Sequence, residues 1–222
     1  MRLFALIVQL SVSFLFEIII IYNNNELICH LTMRIIANTC ARSQTNYTLT
    51  HLAEHLQKFS HDTINRYLRN EQLTPSLLWQ NIKLYLKEFE EGEIVFDDTV
   101  LDKRYGQNIE LVSRQYSGTE HRVLPVIGLI NCIYINRKIG LFWVVDYRIY
   151  EREKDGKSKL DHVADMLNDL VDTKQLSFAR VLMDSWYACQ KLMFLIEDLG
   201  KIYYCPLKKN GSPEFMVIFL YN

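Results

Sequence analysis

With only four prolines and eight glycines in 222 residues, and with no low-complexity tract or solenoid-length repeat, the sequence has little room for a long flexible linker. Any joint between domains is therefore short. The cysteines Cys29, Cys40, Cys132, Cys189 and Cys205 are odd in number, scattered and without a CxxC pair. They indicate neither a disulfide framework nor a zinc site, and read as free thiols in a reducing compartment. An excess of one charge is missing too: 25 Lys and Arg stand against 26 Asp and Glu, a net charge of -1. No blanket of positive charge is available to hold nucleic acid, so any such contact needs a local basic face. What is present is 49% hydrophobic and 12% aromatic content, enough for one good core with a small helical module beside it.

One long apolar run opens the chain, LFALIVQLSVSFLFEIIIIY over residues 3–22, interrupted by Gln9, Ser11, Ser13 and Glu17. It is long enough to span a bilayer. Against a membrane anchor or signal stand Glu17 inside the run, Arg2 as its only flanking positive charge, and no small-residue cleavage site after it. Its Ile18, Ile19, Ile20 and Ile21 suit a buried strand equally well. A third reading, that translation begins downstream near Met33, makes residues 1–32 an extension outside the domain, and it is the preferred one for a reason given below.

Residues 45–90 change to helical periodicity. Leu49, Leu52, Ala53 and Leu56 form an apolar stripe that Thr48 or Thr50 can cap, and Ser60 stands as N-cap of a second helix over 61–69. In that helix Ile64, Tyr67 and Leu68 face inward while Asn65, Arg66 and Arg69 face out. Two short helices joined by QKFS match a helix-turn-helix, whose second helix would offer His61, Thr63, Asn65 and Arg66 to a major groove. An ordinary helical hairpin with a solvated outer face fits the same pattern. Thr74 and Pro75 then open a helix over 76–89, with Leu77, Leu78, Ile82, Tyr85 and Leu86 on its buried side.

Two stretches share a grammar that suits metal chemistry. In EIVFDDTVLDK an apolar strand of Ile94, Val95 and Phe96 runs into Asp97 and Asp98; in FARVLMDSWYA another runs into Asp184, followed by a helix over 186–199 with Tyr187, Leu192, Leu195 and Ile196 inward. A carboxylate on rigid strand backbone can share a divalent ion, and two-metal phosphoryl transfer needs such carboxylates around ions about 3.5 to 4 Å apart. Either aspartate alone is equally a turn former or helix cap. Between them lie three strands (109–115, 126–135 and 139–150), with a hairpin turn at Asn136, Arg137 and Lys138, then a helix over 158–170 with Leu160, Val163, Ala164, Leu167 and Leu170 on one side; a last strand is expected over 202–207. This order resembles an RNase H-like core, an α/β mixed sheet with flanking helices, here incomplete and preceded by the helix-turn-helix-like region. Adjacent central strands would bring the two aspartate stretches together. Trp186 and Tyr187 beside Asp184 suit core packing first and base stacking second.

From residue 45 to residue 210 the chain resembles the bacterial, especially cyanobacterial, insertion-sequence transposases with a DDE catalytic domain. The motifs that carry the resemblance are VFDDTVLDK, ELVSRQYSGTEHRV, DYRIYEREKDGKSKLDHV, VLMDSWYA and KIYYCPLKKN. It implies Asp98 as the first catalytic carboxylate, with Asp97 as neighbour and fallback, and Asp184 as the second. Asp98, Asp184 and Asp97 would be ligands of Mg²⁺ or Mn²⁺. The reaction implied is hydrolysis of a phosphodiester at each transposon end, followed by attack of the freed 3′-hydroxyl on target DNA. Partners are double-stranded DNA at transposon ends and target and a homodimer, with no small-molecule substrate, in the cytoplasm with the nucleoid. Arg114 of RQYSG and Lys103 near the metal site are candidates for DNA contact.

Two departures qualify the resemblance. Members carry a glutamate in a YxxRWxIE-like helix beyond the second aspartate, and the tail at 211–222, GSPEFMVIFLYN, holds only Glu214 in no helical context. A frameshift or early stop near Asn210 is the expectation, with a truncated, inactive enzyme as its consequence and a non-catalytic DNA-binding protein derived from a transposase as the alternative. The resemblance begins only near Thr45, which is why a downstream start is preferred. The domains expected are thus 1–32, 45–90, 93–210 and the tail.

Overall fold

The computed structural model describes residues 53–54, 60–70, 74–104, 110–117, 121–209 and 212–214. The apolar run at 3–22, nearly all of the first helix of the expected helix-turn-helix and the tail beyond 214 lie outside these residues. Among the described residues no helix is long and apolar enough to cross a membrane. The chain divides into two compact units, Met1–Tyr85 and Leu86–Asn222.

In the first unit α1 spans His61–Asn70 and α2 spans Pro75–Ile82. Ser60 starts α1 as the sequence predicts, its Oγ accepting from Thr63 N at 3.2 Å, and Ile64 is fully buried. Thr74 Oγ1 accepts from Leu77 N at 3.2 Å, with Pro75 in the first turn where its missing N–H is not needed. The helix expected over 76–89 ends at Ile82. Leu78 and Ile82 are buried, whereas Tyr85 is 43% exposed.

The second unit is built on six strands. β1 (Glu93–Asp102) is central, pairing antiparallel with β3 (Arg122–Asn136) and parallel with β5 (Arg180–Met183). β3, at 15 residues, is long enough to carry two partners on its other edge: β2 (Ser113–Ser117) along its first part and β4 (Leu141–Tyr150) along the rest. β6 (Ile202–Tyr204) closes the opposite edge, parallel to β5. Read across, β4-β3-β1-β5-β6 has three antiparallel strands followed by two parallel to β1. That is the strand order of an RNase H-like sheet. The parallel β1-β5 pair requires a crossover. It is supplied by the single turn α3 (Arg152–Asp155), by α4 (Lys159–Asn168) and by its π-helical continuation Asp169–Thr173. α5 (Gln190–Asp198) links β5 to β6, and the short hairpin of β7 (Leu207–Lys209) and β8 (Ser212–Glu214) follows.

Several boundaries differ from the expected ones. The first strand does not stop at the aspartates: β1 continues through Asp97 and Asp98 to Asp102 because β3 offers an unbroken antiparallel ladder beside it. β2 begins at Ser113 rather than 109, and the β3-β4 turn is Arg137–Gly140, with Gly140 at φ +66. The helix after Asp184 starts at Gln190, since Asp184–Tyr187 forms a turn closed by Tyr187 N donating to Asp184 O at 2.9 Å. The last strand breaks after Tyr204; Pro206, with no N–H to give, cannot extend the ladder.

The entry to β1 is fixed by side chains from β3. Tyr134 Oη accepts from Phe89 N at 2.8 Å and donates to Phe89 O at 3.1 Å, and Asn136 Nδ2 donates to Lys87 O at 2.8 Å. Gly92 is required here, because a Cβ would come within 2.3 Å of Tyr134 Oη. The core behind the sheet includes Ile94, Phe96, Ile130, Val144, Val163, Met166, Leu167, Val181 and Ile196, all essentially inaccessible to solvent.

Candidate active site

The parallel pairing of β1 with β5 ends at Phe96 opposite Met183. Asp97 is the next residue of β1 and Asp184 the first residue after β5, so their backbones lie at neighbouring positions on strands about 4.8 Å apart. Asp98 follows, and strand alternation turns it to the other face of the sheet. Which face this is can be read from the register. Asp98 stands opposite Ile130, and Ile130 opposite Arg148, so Asp98 shares its face with Gly128, Arg148 and Tyr150, where α4 packs.

There Lys159, the first residue of α4, forms an ion pair with Asp98 Oδ2. Both side chains are largely withdrawn from water, at 15% and 25% exposure, and Lys159 Nζ also lies 5.5 Å from the centre of the Tyr150 ring. The helix start that places Lys159 is held by a capping box: Ser158 Oγ accepts from Asp161 N while Asp161 Oδ2 accepts from Ser158 N at 3.0 Å.

Asp97 is the most perturbed carboxyl. Burial, then the neighbouring Asp98 carboxylate and more weakly Asp184, push it up from the ordinary carboxylate range to about 7; the Asp98 N–H, donating to Asp97 Oδ1 at 2.9 Å, and the Lys159 charge oppose this. Tyr187, brought back by the turn after β5, is fully buried, and its Oη makes no hydrogen bond of normal geometry. Burial and the carboxylates of Asp98, Asp97 and Asp184 push its phenol up well beyond the usual tyrosine range. Asp184 itself is exposed and accepts from its own Ser185 N–H.

The donor set suits a hard divalent cation in chemistry, since Mg²⁺ is commonly held by one or two carboxylates and completes its shell with water and substrate phosphate. Among the described residues, however, no three His, Cys, Asp or Glu side chains converge closely enough to hold a metal ion as they stand. What the described residues hold is a group of aspartates near the ends of β1 and β5, with Lys159 already paired to Asp98.

The other sequence-predicted residues lie elsewhere. Lys103 follows the end of β1, its N–H donating to Pro125 O at 2.9 Å. It is five residue steps from Asp98, roughly 16 Å along extended backbone, so its nearness in sequence does not make it a neighbour of the carboxylates. Arg114 is exposed on β2 opposite Pro125, on the face away from α4. Thr63, Asn65, Arg66 and Arg69 are exposed on α1 in the first unit. Trp186 is 61% exposed, which removes core packing as its role, whereas Tyr187 is core.

Sequence reasoning missed two features of this face. Lys159 sits inside the DGKSKLDHV stretch; its signal was a lysine in the first turn of a helix, where a cation is unfavourable to the helix dipole and needs a partner. Asp146 interrupts the apolar run WVVDYRIY of β4 and is completely buried. It accepts from Tyr147 N at 2.7 Å, Arg148 Nη2 at 3.2 Å and Lys174 Nζ at 3.0 Å, and Lys174 reaches on to Asp169. This network pins the π-helical end of the crossover to β4, where Asp146 stands opposite buried Cys132 of β3.

No protein-family model matches the chain, and no curated protein does. Among solved structures it is similar to a piggyBac transposase synaptic complex with hairpin DNA, at 10% identity over 86% of this chain and 43% of that one, with a TM-score of 0.49. It is also similar to the Mos1 transposase paired-end complex with left transposon end, at 15% identity over 76% and 56%, TM-score 0.28. A third similarity is to the mariner Mos1 paired-end complex with Mg, at 11% identity over 80% and 59%, TM-score 0.26. The chain thus spans about half the length of the structures it matches, and the fold assignment above rests on its own strand order.

Proposed function

We propose that this chain carries part of the catalytic domain of a DDE-type insertion-sequence transposase, acting on double-stranded DNA with Mg²⁺ or Mn²⁺. The observation that supports it most directly is the strand order: β5 lies parallel beside β1, and Asp98 and Asp184 stand just beyond their last paired residues, Phe96 and Met183. These are the two carboxylates that the motif resemblance singles out. When bound, the cation supplies Lewis-acid polarisation of a phosphodiester and a more acidic water. The chain's own residues fix where this happens. In this reading Asp98 on β1 and Asp184, just beyond the end of β5, would hold the cation, with Asp97 as neighbour and fallback. In the same reading Thr63, Asn65, Arg66 and Arg69 of α1 meet DNA bases or backbone, Lys103 and Arg114 meet phosphates away from the metal, and a homodimer works across paired ends without any small-molecule substrate.

A second reading, a DNA-binding protein descended from a transposase that does not cut, is favoured by one observation: the described residues bring no three metal ligands together. The test is a labelled duplex carrying the terminal repeats that flank the reading frame, incubated with the protein and Mn²⁺ or Mg²⁺. The catalytic reading expects binding that weakens steeply with salt and a metal-dependent cut lost in Asp98→Asn and Asp184→Asn. Binding without a cut assigns the chain to the second reading. Neither binding nor cutting contradicts both.

A further inference from the structure

The carboxylate cluster holds its own counter-charge. Lys159 is paired directly with Asp98, and its charge also bears weakly on Asp97. The lysine is not a surface side chain that happened to fall there. Its backbone is set by the Ser158–Asp161 capping box, its ammonium lies over the Tyr150 ring, and 15% of the side chain is exposed. It also sits in the first turn of α4, where the helix dipole disfavours a positive charge. An ammonium kept there needs compensation, and Asp98 is the group that gives it.

Resting on the reading of this site as a divalent-metal site, we propose that Lys159 is a resident counter-ion of Asp98 that a metal ion must displace, so that the lysine neutralises Asp98 in the metal-free protein and sets how tightly metal binds. The Lys159 ammonium sits on Asp98 Oδ2, so a dication taken by either oxygen of that carboxylate would stand within a few ångströms of it, and the two cations repel strongly at that range. Loading therefore breaks the Lys159–Asp98 pair and frees an ammonium on a flexible four-carbon stem beside the site, where a phosphate of bound DNA is the natural anion to receive it.

Mn²⁺ binding, followed by calorimetry on the intact protein, tests this, together with thermal unfolding in EDTA and in saturating Mn²⁺. Lys159→Met is expected to bind Mn²⁺ roughly tenfold more tightly than the parent protein. It should unfold at lower temperature in EDTA yet regain the parent's midpoint with metal, a larger metal-induced shift than the parent shows. Lys159→Arg, which keeps the charge, should stay near the parent affinity. Lys159→Gln, which keeps a donor to Asp98 without the charge, supplies a folded comparison if the methionine variant does not fold. Unchanged or weaker Mn²⁺ affinity in both neutral variants, with the parent binding metal, overturns the displacement role alone. No Mn²⁺ binding by the parent or by any variant overturns the metal reading of the site and this inference with it.

Discussion

Asp97 and Asp98 are adjacent in sequence but face opposite sides of β1, and their environments separate them. Asp98 has a lysine; Asp97 has burial and two like charges, and is held at about 7. Because its folded value lies above the unfolded one, folded protein binds the extra proton between about pH 4 and 7. Its contribution to stability is then favourable at low pH and is lost as the pH rises through 7. In metal-free protein Asp97→Asn should consequently gain on the parent by on the order of 1–2 kcal/mol between pH 5 and pH 8, measured by urea unfolding at both values; a gain toward low pH would contradict the assignment. Asp146 makes a different case, a carboxylate with no solvent access and three hydrogen-bond donors. Asp146→Ala leaves Lys174 buried and short of one partner and is expected to cost about 3 kcal/mol, whereas loss of an exposed pair such as Lys154–Glu110 should be barely measurable.

At the scale of elements, the two strand-aspartate stretches, the meander between them and the crossover helix were legible because apolar runs and caps mark them locally. Ser158 and Thr74 announce their helices in the sequence and cap them in the structure. What was not legible was set by partners distant in the chain. β1 runs past Asp98 because β3 lies along its whole length, β2 shifts to Ser113 to match Val126 to Arg122 of β3, and α5 starts late because Asp184–Tyr187 turns to bury Tyr187. The Lys159–Asp98 pair spans two elements and has no local signature beyond a badly placed charge. Two substitutions test how elements position the site. Ser158→Ala should cost about 1 kcal/mol by uncapping α4, and it should also loosen Lys159. Gly92→Ala, whose methyl would collide with Tyr134 Oη, should cost about 1–3 kcal/mol by shifting the entry of β1. Thermal unfolding of either variant indistinguishable from the parent would show that these contacts do not set the strand and helix positions.

For the whole molecule, a balanced net charge means that DNA affinity has to come from a few placed cations rather than from overall attraction. Arg66 and Arg69 are exposed on α1, and the double variant Arg66→Ala, Arg69→Ala should weaken duplex binding at every sequence and lower the slope of log affinity against log salt by about 2; an unchanged slope would remove α1 from the DNA-contacting surface. The central claim concerns the second unit: that the strand order brings Asp98 and Asp184 together to hold a divalent cation. Its most direct test is anomalous X-ray scattering from crystals of the protein soaked in Mn²⁺. The account predicts a manganese peak bonded to carboxylate oxygens of both Asp98 and Asp184, with Lys159 swung away from Asp98; a peak bonded to neither, or no peak at saturating Mn²⁺, would contradict it.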